Sequence, residues 1–246
     1  MSRPVIFYAT HADDETLNMG VTIAEHVAAD RPVHVVLMTH GRATGALDMI
    51  NGQSLSGYWD VMHDPSFEGY STLTKTDLEQ ARIREFHNAC AQLGVPAGNR
   101  HIEYLDDPTT GETVNKCEAQ AVIQNYANQY PDADHYALSY HDVHADHAAC
   151  GQALLELYNE GQISNAARFI ISMATRMTYE ANNQQIPGWQ DKPTDQAITN
   201  RVINACRCYA AWSPTAGSYA VGYHSVSGQF DKLLDDPYHY IHLPNA

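Results

Sequence analysis

Val5-Ile6-Phe7-Tyr8-Ala9-Thr10 runs without a break into His11-Ala12-Asp13-Asp14-Glu15, and this junction decides how the rest of the chain is read. A short apolar run that ends in a polar turn predicts a buried strand. A helical stretch follows from about Thr16 to Ala29, and Val33 to Thr39 predicts a second strand. Further out, a helical pattern from about Asp77 to Leu93 stops at Gly94, and strands are expected at His101 to Leu105, His135 to Tyr140 and Phe169 to Met173. Helices are expected in the gaps, at about Glu118 to Asn128, Asp146 to Asn159 and Thr194 to Ala211. This alternation predicts an α/β fold, an open and largely parallel sheet covered by helices on both faces. Ligands of such sheets bind beyond the strand C-termini, near the point where the strand order reverses.

Two segments interrupt the pattern: residues 40–76, with Gly, Ser, Tyr58 and Trp59, and the Tyr-, Gly- and His-rich tail after Ser213. A connection of about 35 residues far exceeds the usual loop length, which marks it as functional or as carrying small elements of its own. It reads as an insertion on the substrate side of one domain spanning residues 1–246. The tail from about residue 213 is a candidate to cover the pocket.

The 246 residues, 44 % of them hydrophobic, suit one domain with a sizeable core. A net charge of −15, with 14 Lys and Arg spread thinly, lacks the basic stripe that neutralises phosphates, so nucleic acid is not expected as a partner. No run approaches the roughly 18 apolar residues of a membrane span, and the N-terminal run is too short for a signal-peptide core; the expectation is a cytoplasmic protein. Five scattered cysteines without a C-x-x-C pair predict reduced thiols, mostly filling core. Neither nucleotide-binding glycine motif is present, and the Ser54 region does not form G-x-S-x-G.

The chemistry gathers at the ends of two predicted strands. In His11-Ala12-Asp13-Asp14-Glu15, an imidazole and a carboxylate three residues apart on a turn can converge on one cation while the adjacent Asp stays free as a base. The competing reading has Asp13 or Asp14 capping the next helix and Glu15 complementing its dipole. The second cluster is His141-Asp142-Val143-His144-Ala145-Asp146-His147, after the strand His135 to Tyr140. Two histidines three apart at a helix start can face one site, and Asp146 can orient an imidazole by accepting its second N–H. Three histidines and two aspartates in seven residues point to a metal site at the strand C-terminal ends, with His and carboxylate ligands suited to zinc.

His11-Ala12-Asp13-Asp14-Glu15 together with His144-Ala145-Asp146-His147 resembles the PIG-L/LmbE-like N-deacetylases, whose pattern is His-Pro-Asp-Asp-Glu with a later His-Pro-Asp-His. Gly41, Arg82 and Glu85 ahead of Leu93-Gly94-Val95, and Tyr104-Leu105-Asp106 extend the match over residues 5 to 150. The resemblance implies a Rossmann-like three-layer fold and one zinc ion per chain, with other divalent transition metals able to replace it. It implies His11, Asp14 and His147 as ligands, Asp13 as general base, and His144 as electrophile or acid aided by Asp146. The implied substrate is a small acetylated amino sugar, such as an N-acetylglucosamine conjugate or natural-product intermediate. Arg82 and Asp106 match positions that touch substrate hydroxyls, with Arg84 competing for the first role.

The sequence departs from that pattern in places. Ala12 and Ala145 replace the two prolines, which loosens both turns without removing a ligand. Arg42 stands where many relatives carry an acid, which changes the charge beside the pocket and makes Arg42 a candidate substrate contact. Asp142 replaces a tyrosine found in some sugar deacetylases, a role Tyr140 or a tail tyrosine could take. Tyr58 and Trp59 are candidates to stack on a sugar face, although packing is the commoner use of such residues. His224, His239 and His242 are expected to be hydrogen-bonded or surface histidines. Two alternatives stand beside the deacetylase: a zinc amidase for a larger amide such as a thiol conjugate, and an inactive carbohydrate- or metal-binding module.

Overall fold

The computed structural model describes residues 2–105 and 114–246. Strand β1 (Val5–Ala9) leads through α1 (Asp14–Leu17) and α2 (Gly20–Ala28) to β2 (Val33–Leu37). The following segment holds α3 (Ala46–Ile50) and α4 (Pro65–Glu68), before α5 (Lys75–Leu93) and β3 (Arg100–Ile102). Then come α6 (Lys116–Gln129), β4 (Asp134–Leu138), α7 (Ala145–Asn159) and β5 (Ala167–Ile171). The remainder comprises α8 (Met173–Ala181), β6 (Trp189–Asp191), α9 (Gln196–Tyr209), the short hairpin β7 (Trp212–Ser213) and β8 (Ser218–Tyr219), α10 (Val221–Asp235) and β9 (His239–His242).

The main sheet has the order β3-β2-β1-β4-β5-β9-β6. Its first five strands are parallel, and β9 and β6 extend it antiparallel beyond β5. The largely parallel sheet is therefore as expected, while its antiparallel edge comes from the segments after residue 173 that carried no strand signal. β1 is buried along its whole length because side chains of period two serve two layers. Val5, Phe7 and Ala9 join Ile23, Phe86, Leu93, Val202 and Phe230 on one side. Ile6 and Tyr8 join Val36, Ile123 and Leu154 on the other. Each fully buried Leu, Ile or Phe contributes roughly 1.5–3 kcal/mol, so both faces hold the sheet in place.

Local chemistry fixes the boundaries. A reciprocal Thr74/Asp77 capping box starts α5, and Gly94, at φ 95°, ends it. The helix expected over residues 16–29 is broken into α1 and α2 at Asn18, whose side-chain amide donates to Asp14 Oδ1 at 2.7 Å and accepts the Met173 N–H at 2.6 Å. Among the described residues no helix is long and apolar enough to cross a membrane. All five cysteines are free, with Cys90, Cys150 and Cys206 in the core and Cys117 exposed.

Candidate metal centre and catalytic pocket

The strand order reverses between β1 and β4, with β2 on one side and β5 on the other. Both clusters leave the sheet there, His11 to Glu15 after β1 and Asp142 to His147 after β4. Three atoms meet in a triangle: His11 Nδ1 lies 3.2 Å from His147 Nε2 and 3.4 Å from Asp14 Oδ2, and His147 Nε2 lies 3.3 Å from Asp14 Oδ2. An ion bound tetrahedrally at about 2.0–2.1 Å needs ligand-to-ligand edges of about 3.3–3.4 Å, so the donor set fits zinc in both type and spacing. A second grouping, His11, His144 and Asp146, also lies within reach of one ion, but there Asp146 Oδ2 is already 3.1 Å from His11 Nε2 as a hydrogen-bond acceptor.

The surrounding groups set each ring's tautomer. His11 Nε2–H donates to Asp146 Oδ2 at 3.1 Å, which leaves the Nδ1 lone pair facing the triangle. His147 Nδ1–H donates to Asp142 Oδ1 at 3.1 Å, which leaves Nε2 free. Asp14 is fixed by the His11 N–H at 2.7 Å and by Asn18. Burial opposes charge on both rings, yet Asp14 and Asp142 hold His147 up at about 10, and Asp14 with Asp146 raises His11. The pocket thus favours a positive charge among these atoms.

Asp13 stands beside the triangle and belongs to neither ligand group. It occupies the N-cap position of α1, but its side chain makes no capping bond, so the helix-capping reading fails for it. Its backbone takes φ 138°, a conformation costly for a residue with a Cβ. Two groups hold it there: its N–H donates to Glu15 Oε2 at 3.1 Å, and Arg82 Nη2 lies 3.3 Å from its Oδ2. Burial raises the Asp13 carboxyl to about 6, with Arg82 opposing the shift.

Several expected contacts are arranged differently. The Asp146 carboxylate serves His11 and accepts the Val114 N–H at 2.9 Å, whereas His144 Nδ1 lies 4.0 Å from it and accepts the Asp146 backbone N–H at 3.3 Å. The helix start puts the Asp146 amide, not its carboxylate, over the His144 ring, which leaves Nε2–H as the donor of neutral His144. Arg82 lines the pocket, but its guanidinium donates to Gly41 O at 3.0 Å and Ala12 O at 2.7 Å as well as facing Asp13. Arg42 turns out to α5, where it pairs with Glu79. Arg84 donates to Gly217 O at 2.7 Å and is absent from the pocket lining. Asp106 lies outside the described residues.

A cavity of about 230 Å³ opens over the cluster, lined by His11, Asp13, Asp14, Arg82, His144 and His147. Its other walls come from Leu17, Ala43, Thr44, Ala174 and the α10 residues Ser225, Val226 and Gln229. Tyr58 and Trp59 stand outside that lining and pack against Tyr223 and His224. His224, His239 and His242 are buried, and each has a hydrogen-bond partner. Sequence reasoning gave no role to Thr44 or Gln229, placed Ser225 only within the tail expected to cover the pocket, and gave Asp142 no role beyond membership of the second His/Asp cluster and the place of a missing tyrosine. Its position five residues before His147 was the one available signal.

A doubly wound sheet with a His/Asp/His cluster and a buried carboxylate at its switch point has the layout of an α/β enzyme. The profile of the family described as PIG-L, GlcNAc-PI de-N-acetylase, matches residues 6–158, and the chain belongs to this family of amide-hydrolysing enzymes. It is 23 % identical over 216 residues, 85 % of this chain and 83 % of the relative, to the "Probable N-acetyl-alpha-D-glucosaminyl L-malate deacetylase 2" of Bacillus subtilis strain 168. Its fold is similar to that of a deacetylase triple mutant from the teicoplanin biosynthetic pathway, with TM-score 0.65 and 15 % identity over 99 % of each chain. It is also similar to the 4-carboxy-2-hydroxymuconate hydratase GalB of Pseudomonas putida KT2440, with TM-score 0.60 and 14 % identity over 98 % of this chain and 95 % of that one. The fold alone therefore hosts more than one reaction, and function has to be argued from the site.

Proposed function

We propose that the chain is a zinc-dependent N-deacetylase acting on an acetylated amino sugar within a small conjugate. One observation carries this reading: the His11/Asp14/His147 triangle has the edges of a tetrahedral zinc site and shares a cavity with a buried carboxylate outside the triangle, Asp13. A divalent ion held by those three residues supplies an acidified water and a polarised acyl oxygen. Asp13 accepts the water proton as the new C–O bond forms. The same carboxyl returns that proton to nitrogen as the C–N bond breaks, giving acetate and a free amine. His144, half exposed at the rim, has its Nδ1 occupied by the Asp146 N–H, so its Nε2–H is the group able to steady the oxyanion developing on the acyl carbon. Asp142 and Asp146 keep the two ligand rings in the required tautomers.

The cavity of about 230 Å³ is smaller than the roughly 300–1,000 Å³ of sites for drug-sized ligands, which favours an acetyl group over a long acyl chain. The test is amine release from a panel of N-acetylated amino sugars by zinc-loaded protein, repeated after chelation and with Asp13→Asn. Chelator-sensitive release that falls roughly 100-fold or more in Asp13→Asn, with zinc still bound, is expected for a general base. Loss of zinc from Asp13→Asn would contradict the role given to Asp13. Faster cleavage of longer acyl amides would move the assignment to an amidase.

A further inference from the structure

The pocket wall facing the metal cluster is built by two segments that meet above it. Residues 40–45 contribute Ala43 and Thr44, while Arg42 between them and β2 is directed to Glu79. α10 contributes Ser225, Val226 and Gln229, and it is not one continuous helix: Val226 takes φ −144° and ψ 42°, which kinks it beside the cavity. Thr44 Oγ1 and Ser225 Oγ lie 2.8 Å apart and tie the two segments together. The Gln229 carboxamide is half-buried in the same wall and makes no hydrogen bond with the described residues.

The charge of this lining is already committed. Asp14, His11 and His147 form the triangle. Arg82, the one Lys or Arg in the lining among the described residues, donates to two backbone carbonyls and faces Asp13, and its Nε, which has no partner, is buried away from the cavity surface. Apart from His144, placed at the oxyanion, what remains for recognition is the Gln229 carboxamide and the capacity left on the Thr44 and Ser225 hydroxyls, which already bond each other and, at Thr44, the Ala46 N–H; these are neutral groups that donate and accept, as sugar hydroxyls do. The net charge of −15 adds a long-range field that disfavours anions. We infer that this wall makes the pocket selective for neutral, hydroxyl-bearing amino-sugar conjugates over those with a carboxylate or phosphate beside the sugar, with Gln229 as the specificity-determining residue. The acetamido part of that substrate class rests on the deacetylase reading; the preference for neutral conjugates rests on the wall itself.

Binding separates the two. Calorimetry on zinc-loaded Asp13→Asn protein compares methyl N-acetylglucosaminide with a glycoside of the same sugar carrying a carboxylate on its aglycone. The neutral glycoside is expected to bind about tenfold tighter or more. Gln229→Ala is expected to weaken it about five- to tenfold, the worth of a neutral hydrogen bond. Gln229→Lys is expected to narrow or reverse the preference. Equal or tighter binding of the carboxylate glycoside, binding of neither, or a ratio unchanged by Gln229→Lys overturns the inference. Turnover by the Asp13 protein is scored separately: selective binding without amine release removes the hydrolytic reading and leaves the recognition claim standing.

Discussion

Asp142 is the most informative single perturbation of the metal centre. Its Oδ1 accepts two hydrogen bonds, from His147 Nδ1 at 3.1 Å and from the His144 N–H at 2.9 Å, so one oxygen fixes both a ligand tautomer and the turn that delivers it. Asp142→Ala removes both bonds and leaves the His147 Nδ1–H buried without its acceptor. Loss of such a partner costs about 10- to 100-fold in metal affinity, or about 1.4–2.7 kcal/mol. Asp142→Asn retains an oxygen that can accept both bonds and loses only the charge, so its loss should stay below about tenfold. The assay is competition for zinc against a chromogenic chelator at fixed pH, with thermal melts to confirm that each variant is folded. Zinc affinity in Asp142→Ala within twofold of the parent would refute the claim that this carboxylate sets the His147 tautomer.

Arg82→Gln should lower kcat with little change in KM, because the guanidinium is spent on Ala12 O, Gly41 O and Asp13; steady-state kinetics showing a raised KM at constant kcat would instead make it a substrate contact. Gly151→Ala sets two rules against each other. Helix propensity favours alanine by about 1 kcal/mol. An added Cβ would lie 2.4 Å from Leu138 O and 2.6 Å from Tyr140 N, an overlap worth at least about 1–3 kcal/mol of destabilisation. Denaturation should therefore show a net loss, and a raised midpoint would contradict the close seating of α7 on β4. Acid should also destabilise the fold. Burial lowers His135 to about 4 and His239 to about 3, and His239 Nε2 accepts the Val21 N–H at 3.1 Å, a bond open only to the neutral ring. Folded-state pKa values below the unfolded 6.5 mean that these groups contribute fully above about pH 6.5 and lose that contribution as pH falls towards 4. Urea midpoints that stay flat from pH 7 to 4.5 would refute this.

The sheet and the two runs of His and Asp side chains were legible in the sequence because each is a contiguous stretch. β1 is five residues of unbroken apolar character, and His11 and Asp14 follow at once. α5 announces both ends, through Thr74/Asp77 and Gly94. The contacts within the pocket wall were not legible for the opposite reason, although the two segments that build it stood out as exceptions to the strand and helix pattern. Thr44 and Ser225 are 181 residues apart and meet in the folded chain beside the kink in α10. β9 hides in the same tail, since His239-Tyr240-Ile241-His242 has no apolar run and gains its place by pairing with β5. The direction of Arg42 was not legible either, because a charge near an expected pocket says nothing of the partner it finds, which here includes Glu79 in α5.

The Ala12 substitution gains its meaning from the same comparison. Ala12 leaves its own φ free where a proline would fix it, and the next residue, Asp13, takes φ 138°, which costs about 1–3 kcal/mol in a residue of this kind. The restraint comes instead from distant elements. Glu15 holds the Asp13 N–H, and its other oxygen accepts Tyr209 Oη from α9 at 2.7 Å and Thr16 Oγ1 at 2.7 Å. Arg82, from α5, grips Ala12 O on one side and Gly41 O on the other. Gly41, at φ 64°, admits it, since a Cβ there would lie 3.0 Å from the guanidinium carbon. The position of the proposed base therefore depends on the packing of α5 and α9 more than on its own turn. Tyr209→Phe, which removes one hydroxyl far from substrate, should lower kcat while leaving zinc affinity intact. Parent-level kcat in that variant would show that the α9 link is dispensable.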